Sequence, residues 1–288
     1  MILIADSGST KCDWQLLDSS GKEILEFNTM GLNPYFHDAP TVTRTLRSAS
    51  ELADKIQLIS HVFFYGSGSS SPELCSIIEY GLKAVFANAV IVVDHDLVGA
   101  AYSTYQGAPA ITCILGTGSN SCFFDGKHVS EVVPALAYIL GDEGSGSYFG
   151  KQIIRDYFYH RLPKEIEEEF VDTYHLTHGE LVQRVYGEDN ANVFLSNFTA
   201  FLSRFPNHDY VVETLRKGFD EFISIHVKCY ENWNTVPVHF VGSIAHHFRS
   251  HLETAIEANG LIQGVFVEKP IIGLVNYHNR YVIPKLQQ

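Results

Sequence analysis

The amino-acid sequence predicts an α/β protein built from two related halves. Short apolar strands alternate with helical segments along the whole chain, an order typical of sheets covered by helices. A strand, polar turn, strand, turn, strand order at the start of the chain recurs near residue 110. At 288 residues, the chain is long enough for one large domain or two of ordinary size. We therefore expect a duplicated fold.

The first half begins with three antiparallel strands in a meander. Residues 2–5 are an apolar strand that leads into a Gly/Ser turn at residues 6–11, and residues 12–17 and 22–27 form the next two strands. Downstream, the pattern predicts helices at residues 41–55, 71–86 and 96–105, with strands at residues 58–65 and 90–93.

The second half repeats this order. At an offset of 110 residues, Gly8, Ser9 and Cys12 coincide with Gly118, Ser119 and Cys122. Strands are predicted at residues 110–115, 121–124, 127–132, 236–241 and 265–267, and helices at residues 144–160, 190–205, 210–231, 243–258 and 271–281. The repeat predicts two domains, residues 1–115 and 116–288, and leaves open a return of the last helix to the first domain.

The composition argues against several functional classes. The net charge is −13, from 20 basic and 33 acidic residues, with no basic block, so a nucleic-acid partner is not expected. The longest apolar run, residues 132–140, is about half the length of a membrane span and predicts a buried segment. Five scattered cysteines without a C-x-x-C pair favour a reducing compartment, so we expect a cytoplasmic protein with no membrane partner.

Two polar turns have the features of phosphate-binding loops. In residues 6–11 and 116–120, small residues let backbone N–H groups and hydroxyls approach an anion closely. An ordinary hairpin turn is the alternative for either loop, but two related loops with matched flanks favour phosphate binding. Asp6 ends an apolar strand and is placed to hold Mg²⁺ through water.

Two common nucleotide-binding motifs are not met. The P-loop pattern is approached at Gly144, Gly150 and Lys151, but the glycines are six residues apart and Gln152 follows the lysine. The G-x-G-x-x-G pattern fails because its third glycine is missing. The sequence therefore predicts neither a P-loop protein nor a Rossmann dehydrogenase.

Two further glycine-containing segments lie at element ends. Residues 141–148 open a helix, where Asp142 and Glu143 suit the helix dipole, although an N-cap cluster does not explain the three glycines. Residues 240–245 connect a strand to a helix through Gly-Ser, which fits either a nucleobase site or a routine β–α connection.

In this order the four segments resemble the actin/hexokinase/Hsp70 ATPase superfamily. Gly116-Thr-Gly-Ser-Asn120, followed about twenty residues later by Gly141-Asp-Glu-Gly144, is similar to the N-acetylglucosamine kinase branch of the BadF/BadG/BcrA/BcrD ATPase family. The resemblance extends over essentially the whole chain. It implies duplicated ribonuclease H-like (actin-like ATPase) domains with a central cleft. It also implies ATP- and Mg²⁺-dependent phosphorylation of N-acetylglucosamine or a related amino sugar at the 6-hydroxyl.

The resemblance also implies roles for individual residues. Asp96, which starts a helix three residues before Gly99, is implied as the catalytic base, with Asp94 as its competitor. Asp6 is implied in the Mg²⁺ shell. The implied ATP contacts are Gly8, Ser9, Thr10, Lys11, Gly116, Thr117, Gly118, Gly242 and Ser243. The implied sugar contacts are Asn33, Ser119, Asn120 and Asp142.

One departure from the family and two other functions stay open. Animal N-acetylglucosamine kinases carry Gly-Gly-Trp where this chain has Ala135-Leu136-Ala137, so the identity of the amino sugar is open. An activator ATPase that drives a partner enzyme is one alternative, although the cysteines give no obvious cluster set. A non-catalytic sugar sensor is the other, and the presence of both Asp6 and Asp96 speaks against it. A small-molecule amino sugar is the expected partner, and a homodimer is left open.

Overall fold

The computed structural model describes residues 1–287, which form two compact units. The first unit comprises residues 1–108 and 269–287, and the second comprises Pro109–Glu268. The strands are β1 (Ile2–Ser7), β2 (Lys11–Leu17), β3 (Glu23–Met30), β4 (His61–Gly66), β5 (Val90–His95), β6 (Ala110–Leu115), β7 (Ser119–Phe124), β8 (Val129–Ser130), β9 (Pro237–Val241) and β10 (Ile262–Val267).

The helices lie between these strands and at the end of the chain. They are α1 (Ala39–Arg47), α2 (Pro72–Lys83), α3 (Asp96–Thr104), α4 (Ala137–Leu140), α5 (Gly146–Phe158), α6 (Lys164–Tyr174), α7 (His178–Val182), α8 (Ala191–Ser196), α9 (Asp209–Phe222), α10 (Ser243–His247), α11 (Arg249–Ala258), α12 (Pro270–Tyr277) and α13 (Ile283–Leu286). Turns of 3₁₀-helix lie at Ser50–Leu52, Ile56–Leu58 and Thr199–Arg204, and π-helical turns at Gln183–Gly187, Ile223–Val227 and His278–Val282.

The two units contain sheets of the same topology. The first sheet has the order β3-β2-β1-β4-β5 and the second the order β8-β7-β6-β9-β10. In each sheet the first three strands form an antiparallel meander, and the last two join in parallel beside the first. The predicted α/β class and its duplication are therefore confirmed.

The two units divide the chain at different residues from those predicted. The repeat suggested a boundary at residues 115/116, whereas the boundary along the chain lies between Ala108 and Pro109. Strand β6 belongs to the second unit because it pairs with β7 and β9. The carboxy-terminal segment belongs to the first unit, where α12 packs on α3 and β1. The packing of α12 is so close that a Cβ on Gly273 would lie 2.1 Å from the Ser103 carbonyl oxygen.

The internal repeat also has a different register from the one in the sequence alignment. Ser7 and Leu115 end the equivalent strands β1 and β6, and they are 108 residues apart rather than 110. Gly8 therefore corresponds to Gly116, not to Gly118. The first hairpin turn is also one residue longer than the second, because Ser7 pairs with Cys12 whereas Leu115 pairs with Ser119.

Strand β1 is buried on both faces, which fixes the position of Asp6 at its end. Leu3 and Ala5 lie in one apolar cluster, and Ile2 and Ile4 lie in another. A strand that is covered on both faces has a continuous apolar run in its sequence, and β1 has such a run. Each fully buried aliphatic side chain contributes about 1.5–3 kcal/mol, so the strand is a stable support for the turn that follows it.

The apolar run at residues 132–140 was predicted to be buried, and this prediction is wrong. Ile139 and Leu140 in α4 are 72% and 74% exposed, and Val132 and Leu136 are more than half exposed. The helix has only four residues, because Ala137 has a positive φ of 55° and Gly141 ends it. One turn is too short to present a continuous apolar face to the core. Within residues 1–287, no helix has both the length and the hydropathy needed to cross a membrane.

Candidate functional site

Three turns of the first unit lie at the same edge of its sheet. The parallel pairing of β1 with β4 and of β4 with β5 aligns Ser7, Gly66 and His95 in one row. The turn at residues 8–10, the Gly/Ser turn at residues 67–71 and the start of α3 therefore follow neighbouring strand ends. The carboxyl edge of such a sheet is where α/β proteins bind their ligands.

The first loop is held in shape from behind by residues 31 and 32. The Gly8 N–H donates to the Lys11 carbonyl at 3.0 Å, and the Gly31 N–H donates to the Thr10 carbonyl at 3.0 Å. The buried Ser7 hydroxyl accepts the Leu32 N–H at 2.9 Å and donates to the Leu32 carbonyl at 3.3 Å. These bonds fix the backbone of the predicted phosphate loop.

Replacing Gly31 by alanine should destabilise the protein by about 1–3 kcal/mol, the usual cost of forcing an atom into a packed site. A Cβ at this position would lie 2.2 Å from the Gly8 oxygen and 2.7 Å from the Ser9 carbonyl carbon. Gly8→Ala is the matched control, since its Cβ would lie 3.6 Å from the nearest atom outside its chain neighbours, the Lys11 oxygen. Urea unfolding measures both variants, and equal stabilities would show that Gly31 does not brace the loop.

Three carboxylates gather near the end of β1. Asp6 lies directly opposite Asp13 in the β1–β2 pairing, and Asp13 forms an ion pair with Lys11 at 2.7 Å. Burial is the main cause that raises the pKa of Asp6 to about 7, and the neighbouring carboxylates of Asp13 and Asp96 contribute to the same rise. At neutral pH, Asp6 is therefore divided between its protonated and ionised forms.

These carboxylates suit a divalent cation. Oxygen ligands are what Mg²⁺ prefers, and a cation would relieve the repulsion that raises the pKa of Asp6. Within residues 1–287, no group of three or more His, Cys, Asp or Glu side chains is arranged to ligate a metal by itself. Magnesium bound to a nucleotide usually takes one or two carboxylates and completes its shell with phosphates and water. Asp6 fits that role.

Asp96 is the first residue of α3 and is held by its neighbour. The His95 ring Nε2 lies 3.2 Å from Asp96 Oδ1, and the two side chains are 19% and 24% exposed. Gly99 allows the start of the helix to approach β4, since a Cβ there would lie 2.7 Å from the Tyr65 Cβ. The Asp-x-x-Gly spacing therefore has a packing reason, and His95 restrains one oxygen of the carboxylate.

Asp94 has different surroundings. Its Oδ1 accepts the His95 N–H at 2.9 Å, and its charge contributes to raising the pKa of both Tyr65 and Tyr102, for which burial is the main cause. Asp96, by contrast, is close enough to Asp6 to raise its pKa. This difference favours Asp96 over Asp94 as the group beside the predicted metal ligand.

Asn33 lies in a tight buried turn of the first unit. Its Oδ1 accepts the Tyr35 N–H at 2.9 Å, and its own N–H donates to His37 Nδ1 at 3.1 Å. The side-chain amide packs against Gly68, where a Cβ would lie 2.3 Å from Asn33 Oδ1. The amide nitrogen takes part in neither of these bonds, so it is the part of the side chain suited to a sugar hydroxyl.

In the second unit, the second loop is tied to the start of α5. Its carbonyls at Gly116 and Thr117 accept the N–H groups of Gly146 and Ser147 at 2.8 and 3.0 Å. Gly242, with φ 111°, closes against the same loop, since a Cβ there would lie 2.6 Å from the Leu115 oxygen. The predicted phosphate and adenosine loops of this unit are therefore neighbours, with Ser243 exposed at the start of α10.

Asp142 and Ser119 lie together beside this loop. The Ser119 N–H donates to Asp142 Oδ1 at 3.3 Å, and the Ser147 hydroxyl donates to Oδ2 at 3.4 Å. Gly118 packs on the same carboxylate, since a Cβ at this residue would lie 3.0 Å from Asp142 Oδ2. Burial raises the pKa of Asp142, and its positive φ of 60° lies in the left-handed region that residues other than glycine rarely adopt.

Asn120 was predicted to act with Ser119, but it points elsewhere. Successive residues of a strand face opposite sides of the sheet, and Asn120 Nδ2 donates to Glu131 Oε2 at 3.2 Å. Its Oδ1 accepts the Ser121 N–H at 2.8 Å. The structure therefore groups Ser119 with Asp142 and separates Asn120 from them.

Sequence reasoning missed three residues that shape the first unit's site. Asp13, opposite Asp6, was predictable from the hairpin register, because directly opposed residues of neighbouring strands interact. His95, beside Asp96, had only its position next to the predicted base as a signal. Gly31 lies in the segment that contains Asn33, yet its role depends on a contact with a loop more than twenty residues away.

The chain is similar to a candidate N-acetylglucosamine kinase from Porphyromonas gingivalis. The two are 36% identical, with a TM-score of 0.91, and the match covers 98% of this chain and 99% of that one. A candidate N-acetylglucosamine kinase from Chromobacterium violaceum matches with 14% identity and a TM-score of 0.70, over 96% of this chain and 98% of that one.

A more distant match is a ROK-family glucokinase from Streptomyces griseus, solved in complex with glucose and AMPPNP. It is 14% identical, with a TM-score of 0.55, over 96% of this chain and 97% of that one. At 14% identity, this match and the Chromobacterium violaceum match show the fold alone. No family model matches the chain, and no curated protein does.

Proposed function

The chain belongs to the N-acetylglucosamine kinase branch of the BadF/BadG/BcrA/BcrD ATPase family, and from this we propose that it phosphorylates an amino sugar. ATP is the phosphoryl donor, and N-acetylglucosamine is the acceptor that the similarity to the Porphyromonas gingivalis protein supports best. The acceptor oxygen is the sugar 6-hydroxyl. The reaction yields a sugar phosphate and ADP.

The proximity of Asp6 and Asp96 at one edge of the first sheet carries this proposal. A kinase needs a carboxylate near the metal and a second one to receive the proton of the attacking hydroxyl. The effect of Asp96 on the pKa of Asp6 supports their proximity, and His95 restrains Asp96. A non-catalytic sugar sensor would need neither carboxylate.

Each unit by itself carries residues with proposed roles. In the first unit, residues 8–11 receive phosphate oxygens, Asp6 holds the Mg²⁺ shell, and Asn33 binds the sugar. In the second unit, residues 116–118 receive phosphates, Gly242 and Ser243 lie by the adenosine, and Ser119 and Asp142 bind the sugar, whereas Asn120, which is bonded to Glu131, is given no sugar contact. When bound, Mg²⁺ neutralises charge on the transferred phosphoryl group.

Asp96 acts as the base in the chemical step. The sugar hydroxyl oxygen forms a bond to the γ-phosphorus, the bond from that phosphorus to the β–γ bridging oxygen breaks, and ADP leaves. The hydroxyl proton passes to the Asp96 carboxylate. Backbone N–H groups of a phosphate loop stabilise the charge that spreads over the transferred group.

An ADP-release assay with a panel of acceptors tests this function. The panel contains N-acetylglucosamine, glucosamine, N-acetylmannosamine, N-acetylmuramic acid and glucose, with mass spectrometry of the sugar product. We expect the highest kcat/KM for an N-acetylated amino sugar. Phosphate release at the same rate with and without sugar, and no phosphosugar from any acceptor, would instead assign the chain to the activator ATPases.

A further inference from the structure

A buried histidine–carboxyl pair lies beneath the sugar-binding residues of the second unit. His226 Nε2 is 3.1 Å from Glu143 Oε2, and their side chains are only 4% and 14% exposed. His226 belongs to the π-helical turn Ile223–Val227 that continues α9, and its ring stacks on Phe222 at 5.2 Å between centroids. The pair therefore joins two segments that are 83 residues apart in sequence.

Both members of the pair are bonded to strand β7 through their backbone. The Glu143 carbonyl accepts the Ser119 hydroxyl at 2.7 Å, and the His226 carbonyl accepts the Ser121 hydroxyl. Ser121 Oγ also lies 3.1 Å from the Tyr230 hydroxyl. Ser119 and Ser121 are two residues apart and face the same side of the sheet. The pair thus holds the first residues of β7, which begins with Ser119, in place.

The same pair anchors a strained backbone. Asp142, directly before Glu143, has φ 60°, and Gly144, directly after it, has φ 67°. Gly144 is closed against α9, since a Cβ there would lie 3.1 Å from the Gly218 oxygen and the Phe222 Cβ. A non-glycine residue in the left-handed region persists where its surroundings hold it there, and such strain clusters at ligand sites.

Stability alone does not explain a buried polar pair. Well-packed apolar side chains in place of a buried ion pair are often neutral or stabilising, so polar pairs of this kind suggest a positional role. We propose that His226 is a positioning residue for the sugar: through Glu143 it holds Asp142 and Ser119 in the geometry that binds the acceptor. This inference rests on the proposed kinase function, and it adds a residue outside the sugar-binding set.

Paired variants test the role of His226. His226→Phe keeps the ring and its stacking on Phe222 but removes the nitrogen that contacts Glu143, whereas His226→Gln keeps a donor of similar reach. His226→Phe should raise the sugar KM about tenfold, the scale of a lost hydrogen bond to a charged group, with kcat and the ATP KM within about twofold. His226→Gln should restore the sugar KM to within about threefold of wild type.

His278 supplies a matched control in the first unit. It is also fully buried, and its Nε2 likewise has a single contact, to the Tyr65 hydroxyl at 2.9 Å. His278→Phe removes a comparable core hydrogen bond that has no link to Asp142 or Ser119, so the sugar KM should not change. Equal effects of His226→Phe and His278→Phe on the sugar KM would show a general loss of stability and overturn the proposal.

Amide hydrogen exchange separates this inference from the proposed function. In His226→Phe, without nucleotide or sugar, exchange should accelerate in residues 119–121 and 141–144, and His226→Gln should reverse the acceleration. Unchanged exchange in these segments overturns the positioning role whatever the activity. Faster exchange with an unchanged sugar KM also overturns it. A wild-type protein that phosphorylates no sugar rejects the proposed function, and the sugar part of the inference with it.

Discussion

Asp96→Asn should lower the rate of sugar phosphorylation by roughly 10²–10⁴, the usual loss when a positioned base is removed. Asparagine has the same shape as aspartate, and its oxygen can still contact His95, which lies 3.2 Å from Asp96 Oδ1 in the wild type. The fold should therefore be retained. The ATP KM should change little because the proposed function assigns the phosphates to residues 8–11 and 116–118 and not to Asp96. Initial rates of ADP and sugar phosphate formation measure both effects.

Asp94→Asn is the control for this experiment. Asp94 is two residues away, and the Asn oxygen can keep the bond from the His95 N–H. Its rate should stay within about threefold of wild type, because its carboxylate lies beside Tyr65 and Tyr102 and has no proposed role in catalysis. A large loss in Asp94→Asn with a normal rate in Asp96→Asn would exchange their roles. Normal rates in both would show that Asp96 only starts the helix.

The topology was largely predictable because the chain carries strong local signals. Strand β6 lies at residues 110–115, as the apolar run predicted. Helix α2 covers residues 72–83 of the predicted helix at residues 71–86. It begins after Ser71, because the Ser71 hydroxyl accepts the Leu74 N–H and proline occupies the first helical position. The family assignment, which came from the glycine-rich segments and their spacing, is confirmed by the 36% identical relative.

Other elements were missed because their signals are short or conflicting. Helix α6 was not predicted, although Ile166 and Phe170 are four residues apart and fully buried. Between and around them the segment is mostly acidic, so its apolar stripe is narrow. The predicted strand at residues 127–132 shrinks to Val129–Ser130, where β8 pairs only with the end of β7.

The finer geometry of the site depends on contacts between distant segments. Gly31 against Ser9 and His226 against Glu143 join elements that no local pattern connects. The sequence alignment of the two halves was also out of register by two residues at the end of β1. The alignment matched three identical residues and took no account of the difference in turn length. Motifs can identify which residue types a site contains, but packing decides which of them meet.

Asp6 should lower the stability of the folded protein at neutral pH, while its carboxylate serves the proposed Mg²⁺ shell. Its carboxyl group is protonated below about pH 4 in both folded and unfolded chains, so its ionisation then affects stability little. As the pH rises from about 4 to 7, the unfolded chain ionises more readily than the folded one, whose Asp6 pKa is about 7. Over this interval the free energy of unfolding therefore falls by about 2–4 kcal/mol, after allowance for partial solvent access, and it stays at this lower value at higher pH.

Asp6→Asn should therefore be more stable than wild type at pH 8 and lose this advantage as the pH falls from 7 towards 4. Its activation by Mg²⁺ should be roughly 10- to 100-fold weaker, the range for disturbed metal shells. Urea unfolding without Mg²⁺ and Mg²⁺ titrations of the kinase rate measure the two effects.

Asp18→Asn is the control with the opposite sign, because the Ser20 hydroxyl lowers the pKa of Asp18. This variant should be slightly less stable above pH 4, with normal Mg²⁺ activation. A less stable Asp6→Asn at pH 8 would contradict the raised pKa, and unchanged Mg²⁺ activation would remove Asp6 from the metal shell.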